Sequence, residues 1–103
     1  MLVRGDTFSF DRLIHEHPVA LAFFYADSCS KCRTIHPWVK EIGQSSDKVC
    51  IIELETGRDA ELAYNFAVST VPSFLLYKDG TFVDRKAGSQ SRKKIEEFIE
   101  SAL

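Results

Sequence analysis

Cys29 and Cys32 are separated by two residues, Ser30 and Lys31. A Cys-x-x-Cys pair serves thiol–disulfide exchange, or it holds a metal ion or an iron–sulfur cluster. On a helix, side chains at i and i+3 have their Cβ atoms about 5–6 Å apart. A disulfide needs nearer to about 4 Å, so a small local adjustment opens or closes it without unfolding a domain. The nucleophile in exchange is the thiolate, which is favoured beside cations and at a helix N-terminus, where unpaired N–H groups gather. Lys31 and Arg33 bring positive charge to Cys29, and Asp27 partly opposes it. This pattern predicts an exposed, acidic thiol at Cys29. Cys32, one turn further on and in line with apolar residues, is predicted to be shielded and less acidic, which suits it to resolve a mixed disulfide.

The other candidate ligands are sparse. His36 completes a Cys-x-x-Cys-x-x-x-His, but zinc takes four donors and no other Cys or His lies nearby in sequence. Arg33, rather than His, follows Cys32, which excludes c-type haem attachment. Three cysteines are too few and too oddly numbered for a disulfide scaffold. Cys50 lies in an apolar run and is expected to be a buried thiol packing as a small hydrophobe. No metal or organic cofactor is expected: the Cys29–Cys32 couple would itself carry the electrons.

These cysteines must be positioned by a strand and a helix. Val19 to Tyr25 is apolar at every residue, the pattern of a strand buried on both faces. Asp27-Ser28 breaks it. Cys32, Ile35, Val39 and Ile42 then recur at helical spacing, predicting a helix from near Cys29 to a C-cap at Gly43, kinked at Pro37. Before the strand, Phe10, Leu13 and Ile14 mark a helix over about 8–15, with Thr7 or Ser9 as cap and Pro18 as its limit. Beyond Gly43, Val49–Leu54 reads as a strand and Asp59–Phe66 as a short helix with Leu62, Ala63 and Phe66 inward. Ser73–Tyr77 and Thr81–Lys86 flank Asp79-Gly80, a strong hairpin signal. Ile95, Phe98, Ile99 and Ala102 form one face of a last helix. With a short strand at Leu2-Val3, this order predicts an α/β fold, with a mixed sheet of four or five strands flanked by about four helices.

The chain resembles the thioredoxin family over nearly its whole length. The resemblance is carried by Phe23-Phe24-Tyr25-Ala26 before Cys29-Ser30-Lys31-Cys32, and by Pro37 five residues after Cys32. Further matches are Glu53-Leu54-Glu55, Val71-Pro72-Ser73-Phe74, Lys78-Asp79-Gly80 and Gly88. It implies the thioredoxin fold and a cis bond at Val71-Pro72 facing the cysteines. It also implies a substrate groove made by Ser28, Ser30, Lys31, the Val71 backbone, Pro72 and Gly88. The implied activity is reduction of protein disulfides, with Cys29 attacking, Cys32 resolving, and a thioredoxin-reductase-type flavoenzyme restoring the dithiol.

Three departures stand out. Where the family has Trp-Cys-Gly-Pro-Cys, this chain has Ser28-Cys29-Ser30-Lys31-Cys32. Phe23 takes the place of the family's buried acid, and Ile51 that of its basic partner. An altered rim opens two alternatives: a redox protein dedicated to a narrow client, or a thioredoxin-fold module that binds partners or metal without general reductase activity.

Composition bounds the rest. The 103 residues suit a single domain spanning 1–103, 45% apolar and 27% charged. Thirteen basic against fifteen acidic side chains give a net charge of −2, which argues against nucleic acid and anionic membrane as partners. The eight-residue run Val19–Ala26 is far too short for a membrane span. The opening Met-Leu-Val-Arg-Gly-Asp has no apolar h-region, so a cytoplasmic location is expected; the resemblance implies a monomer acting on disulfide-containing client proteins.

Overall fold

Strand β2 (Val19–Tyr25) is the centre of the molecule, with every residue from Val19 to Phe24 buried. Successive side chains of a strand point to opposite faces. Leu21 and Phe23 therefore enter one core while Ala20, Ala22 and Phe24 enter another. Both cores must be covered, and the remaining elements do this.

The computed structural model describes residues 1–103. The other strands are β1 (Leu2–Arg4), β3 (Cys50–Glu55), β4 (Ser73–Lys78) and β5 (Thr81–Ala87). The helices are α1 (Phe10–Glu16), α2 (Ser30–Ser45), α3 (Ala60–Asn65) and α4 (Arg92–Glu100). The sheet order is β1-β3-β2-β4-β5, with β1, β3 and β2 parallel and β4 and β5 antiparallel. This is the expected mixed sheet with four helices. Helices α2 and α4 cover the Leu21–Phe23 face through Ile35, Val39, Ile42, Ile95, Phe98 and Ile99. The opposite face is covered by α1 and α3 through Phe10, Leu13, Ile14, Leu62 and Ala63.

Both edges of the sheet differ from its centre. Strand β1 is three residues long, and β5 is exposed along almost its whole length, Asp84 and Arg85 included. A register irregularity at Leu76/Tyr77 interrupts the β4–β5 pairing. The hairpin turn has positive φ at both central residues, Asp79 (51°) and Gly80 (81°), as a type I′ turn requires.

Three expectations about helix ends are corrected. Gly43 is not a C-cap: α2 runs on to Ser45, and Gly43 is buried where a Cβ would lie 3.1 Å from the Met1 carbonyl oxygen and 3.3 Å from the Leu2 side chain. It serves close approach of β1 to the helix. Ser9 occupies the N-cap position of α1 without capping it. Its hydroxyl accepts instead from the Asp6 N–H, while the Asp6 carboxylate accepts from the N–H groups of Phe8 and Ser9. Thr7 does not cap either; its N–H donates to Asp59 Oδ1 at 3.1 Å.

Asp59 is the most buried carboxylate, 3% exposed. Besides Thr7 it accepts from Arg58 at 2.7 and 3.0 Å, and the Arg58 guanidinium also donates to the Gly5 carbonyl oxygen at 2.7 Å. The pair thus ties the β1–α1 connection to the start of α3. Removing one partner leaves the other with its solvation already lost. Asp59→Ala is expected to lower the unfolding free energy by about 2 kcal/mol, read from denaturant titration, and Asp59→Asn by less.

Candidate active site

Ala26 to Cys29 carry the chain from the end of β2 to the start of α2. The Cys29 N–H donates to the Ala26 carbonyl at 3.1 Å, and Arg33 Nη1 donates to the Asp27 carbonyl at 3.1 Å. The Asp27 N–H donates to the Glu55 carboxylate at 3.2 Å. Cys29 is the N-cap residue of α2, in extended backbone conformation, and its Sγ accepts the Cys32 N–H at 3.2 Å. A sulfur here replaces the usual oxygen cap and receives one of the helix's unpaired donors.

The two thiols differ as expected, although the causes differ in part. Burial opposes ionisation of Cys29, but hydrogen bonds from the Cys32 side chain and from the backbone N–H groups of Cys32 and Lys31, with the Arg33 charge, bring its pKa below the ordinary thiol value. Lys31 acts through its amide, whereas the sequence pointed to its ammonium group. Cys32 is 1% exposed, and burial together with its bond to Cys29 pushes it up to about 11. Cys50 is buried and its pKa is raised by that burial.

The residues expected around the cysteines are distributed as follows. Ser28, Ser30 and Lys31 are exposed beside half-buried Cys29. The Val71–Pro72 bond is cis, Pro72 is buried, and Val71 is half-buried. The Val71 N–H makes no hydrogen bond within the protein, and the Val71 carbonyl lies 3.8 Å from Cys29 Sγ, within reach of that thiol as donor. Gly88 donates its N–H to the Pro72 carbonyl at 2.8 Å, has φ of +88°, and faces open space where a side chain would stand. The Cys29 loop and the Val71–Pro72 segment therefore meet at the sulfur, and Gly88 joins them through Pro72.

Phe23 is fully buried, stacked on Tyr25 and on Phe74 across the strand pair, both at 5.4 Å between ring centres. Ile51 is buried in the same core, opposite Leu21. Sequence reasoning missed what lies next to them. His36 packs against Phe23 and Tyr25, and its Nε2 contacts the Glu53 carboxylate. Both side chains are mostly buried, and they line a cavity of about 450 Å³ that reaches Cys32. Strand alternation held the signal: Glu53 shares a face with Ile51, the face that α2 covers. His36 is thus engaged by a carboxylate, and no group of three or more His, Cys, Asp or Glu side chains gathers as a metal site.

A sequence profile of the family described as Thioredoxin matches residues 2–101. The chain belongs to the thioredoxin family. Two chloroplastic thioredoxins of the Y type from Arabidopsis thaliana are 28% and 32% identical over 95% and 92% of this chain. The chain spans 57% and 58% of the length of those two relatives. The crystal structure of Fasciola hepatica thioredoxin superposes with a TM-score of 0.90 at 28% identity and full coverage of both chains. In this chain the dithiol pair lies at the junction of β2 and α2, and Phe23 is buried within β2.

Two outcomes are expected. Brief alkylation of the reduced protein near neutral pH should label Cys29, because only about one Cys32 in 10⁴ is ionised at pH 7 when its pKa is about 11. Labelling of Cys29 should rise with pH and level off below the ordinary thiol range, while Cys32 becomes reactive only in alkali. Mapping the label by mass spectrometry checks both. Separately, Phe23→Asp places a charge in an apolar core and is expected to cost about 3–5 kcal/mol of stability in denaturant unfolding.

Proposed function

We propose that the chain is a thiol–disulfide oxidoreductase that reduces disulfides of client proteins. The observation that carries this reading is the asymmetry of the pair: Cys29 Sγ caps α2 and has a lowered pKa, while Cys32 is buried and protonated one turn further in. Cys29 thiolate attacks a client disulfide, expelling one client thiolate and forming a mixed disulfide. Cys32 then attacks Cys29 Sγ, forming the Cys29–Cys32 bond and releasing the second client thiolate. Two electrons pass to the client, and the cysteines carry them without a bound cofactor.

The groove proposed for the client is the surface around Cys29, made of Ser28, Ser30, Lys31, the Val71 backbone, Pro72 and Gly88. The free Val71 N–H and the open space at Gly88 support it, because an extended peptide can add to such a backbone edge. Recycling requires an electron donor, for which we propose a flavoenzyme of the thioredoxin-reductase type, in a reducing compartment such as the cytoplasm. No helix is long and apolar enough to cross a membrane. A monomer suffices, since every residue invoked lies on one chain.

A narrower client range is the second reading. Exposed polar side chains at Ser28, Ser30 and Lys31 favour it, since they offer hydrogen bonds and charge where an aromatic would offer a general apolar contact.

With dithiothreitol as donor, the protein is expected to catalyse reduction of insulin, and Cys29→Ser or Cys32→Ser to abolish turnover. Cys32→Ser should accumulate mixed disulfides through Cys29, and Cys29→Ser should accumulate few. A wild-type protein inert toward both insulin and candidate clients would overturn the reading; activity confined to particular clients would establish the narrower one.

A further inference from the structure

Cys32 must lose a proton before it attacks Cys29. Its pKa of about 11 makes spontaneous ionisation rare at neutral pH. Phe23, fully buried and packed against His36, has no atom that accepts a proton. His36 is the nearest alternative along the helix. It stands four residues after Cys32, hence on the same face of α2, and side chains so spaced are neighbours. Cys32 and His36 line the same cavity.

We propose that His36, oriented by Glu53, is the proton acceptor for Cys32 when a mixed disulfide is resolved. The proposal rests on the oxidoreductase reading above and concerns its second step alone. The Glu53 carboxylate contacts Nε2, so the neutral ring donates Nε2–H to Glu53 and keeps the Nδ1 lone pair available. Nδ1 has no partner in the protein, and no buried side-chain nitrogen or oxygen is left unpaired, so Nδ1 reaches the solvent of the cavity. Rotation of the ring is limited by Phe23 on one side, at 5.1 Å between centres, and by Tyr25 at 4.5 Å.

Charged and titratable groups from several elements line the cavity around this pair. Helix α2 contributes Arg33 and Lys40 to the cavity wall, and β1 contributes Arg4. Tyr25, Asp27 and Glu53 face them from β2, the following loop and β3. Of these charged groups, it is the Glu53 carboxylate that contacts the His36 ring, at Nε2. Glu53 is a positioning residue here, acting through His36.

The step balances as follows. Cys29 begins bonded to the client sulfur. The Cys32 thiol gives its proton to His36 Nδ1, directly or across one cavity water, and its sulfur attacks Cys29 Sγ. The Cys29–Cys32 bond forms and the bond from Cys29 to the client sulfur breaks. The client leaves as a thiolate, reduced by the electrons that the cysteine pair loses. His36 returns its proton to solvent through the cavity mouth.

Stopped-flow reaction of the reduced protein with the aromatic disulfide dithiobis(nitrobenzoate) separates the steps, because attack by Cys29 and resolution by Cys32 each release one coloured thiolate. His36→Gln should leave the first phase within about twofold and slow the second by about 10–100-fold near pH 7, the range of a lost general base. In the wild type the second phase should level off as pH rises, because transfer to the ring does not require prior ionisation of Cys32. In His36→Gln it should keep rising about tenfold per pH unit, because Cys32 must then ionise unaided. Glu53→Gln should slow the second phase only a few-fold. Imidazole in the buffer should restore the second phase of His36→Ala, a rescue that a merely structural role would not produce. If His36→Gln loses its native circular dichroism, the Glu53→Gln rates and the imidazole response decide. A second phase that keeps its rate and pH profile in His36→Gln overturns the proposal, as does His36→Ala unmoved by imidazole. A wild type lacking the first phase overturns the oxidoreductase reading, and the relay with it.

Discussion

The two-faced burial of β2 is the constraint on which the other elements depend. A strand with six consecutive fully buried residues cannot lie at an edge or against water on either side. It needs paired strands left and right, which β3 and β4 supply, and helices above and below. Those helices must present apolar stripes of matching size, and α2 does so with Ile35, Val39 and Ile42. Because α2 follows β2 directly, its first turn has to start where the buried strand ends. The position of Cys29 at that junction is therefore a product of packing before it is a product of chemistry.

The chemistry then follows from small differences in placement along one helical turn. Cys29 sits outside the first turn and collects its N–H groups; Cys32 sits inside and is shielded by the core. One residue type thus acquires two acidities three positions apart. Phe23, Tyr25 and Phe74 form an aromatic cluster, of which Tyr25 lines the same cavity as Cys32. His36 and Glu53 are the polar groups inserted at that cluster's border, and their mutual contact is what lets two ionisable side chains remain largely buried there.

Much of this was legible in the residues. The Val19–Tyr25 run, the helical spacing from Cys32 to Ile42 and the Asp79-Gly80 turn each report a local preference that the tertiary structure keeps. The Cys29–Cys32 spacing was legible for the same reason, since both residues lie on one turn. What stayed hidden depends on contacts between elements. His36 meets Glu53 across 17 residues of sequence, where no spacing rule applies. Gly43 resembles a helix terminator, yet its missing side chain makes room for β1. Thr7 resembles a cap, but its N–H goes to Asp59, far along the chain. In both cases a residue suited to a local task was recruited to a longer-range one.

The two edges of the sheet also bear on how the molecule behaves in company. An open strand edge is a template on which another chain can nucleate pairing and aggregation. Here β1 offers only three residues. Strand β5 is longer, but it carries Asp84, Arg85 and Lys86 in succession and pairs irregularly with β4 at Leu76/Tyr77. A foreign strand docking along β5 would have to match or bury those charges and follow a locally disturbed pairing. The sheet is thereby protected against indiscriminate growth.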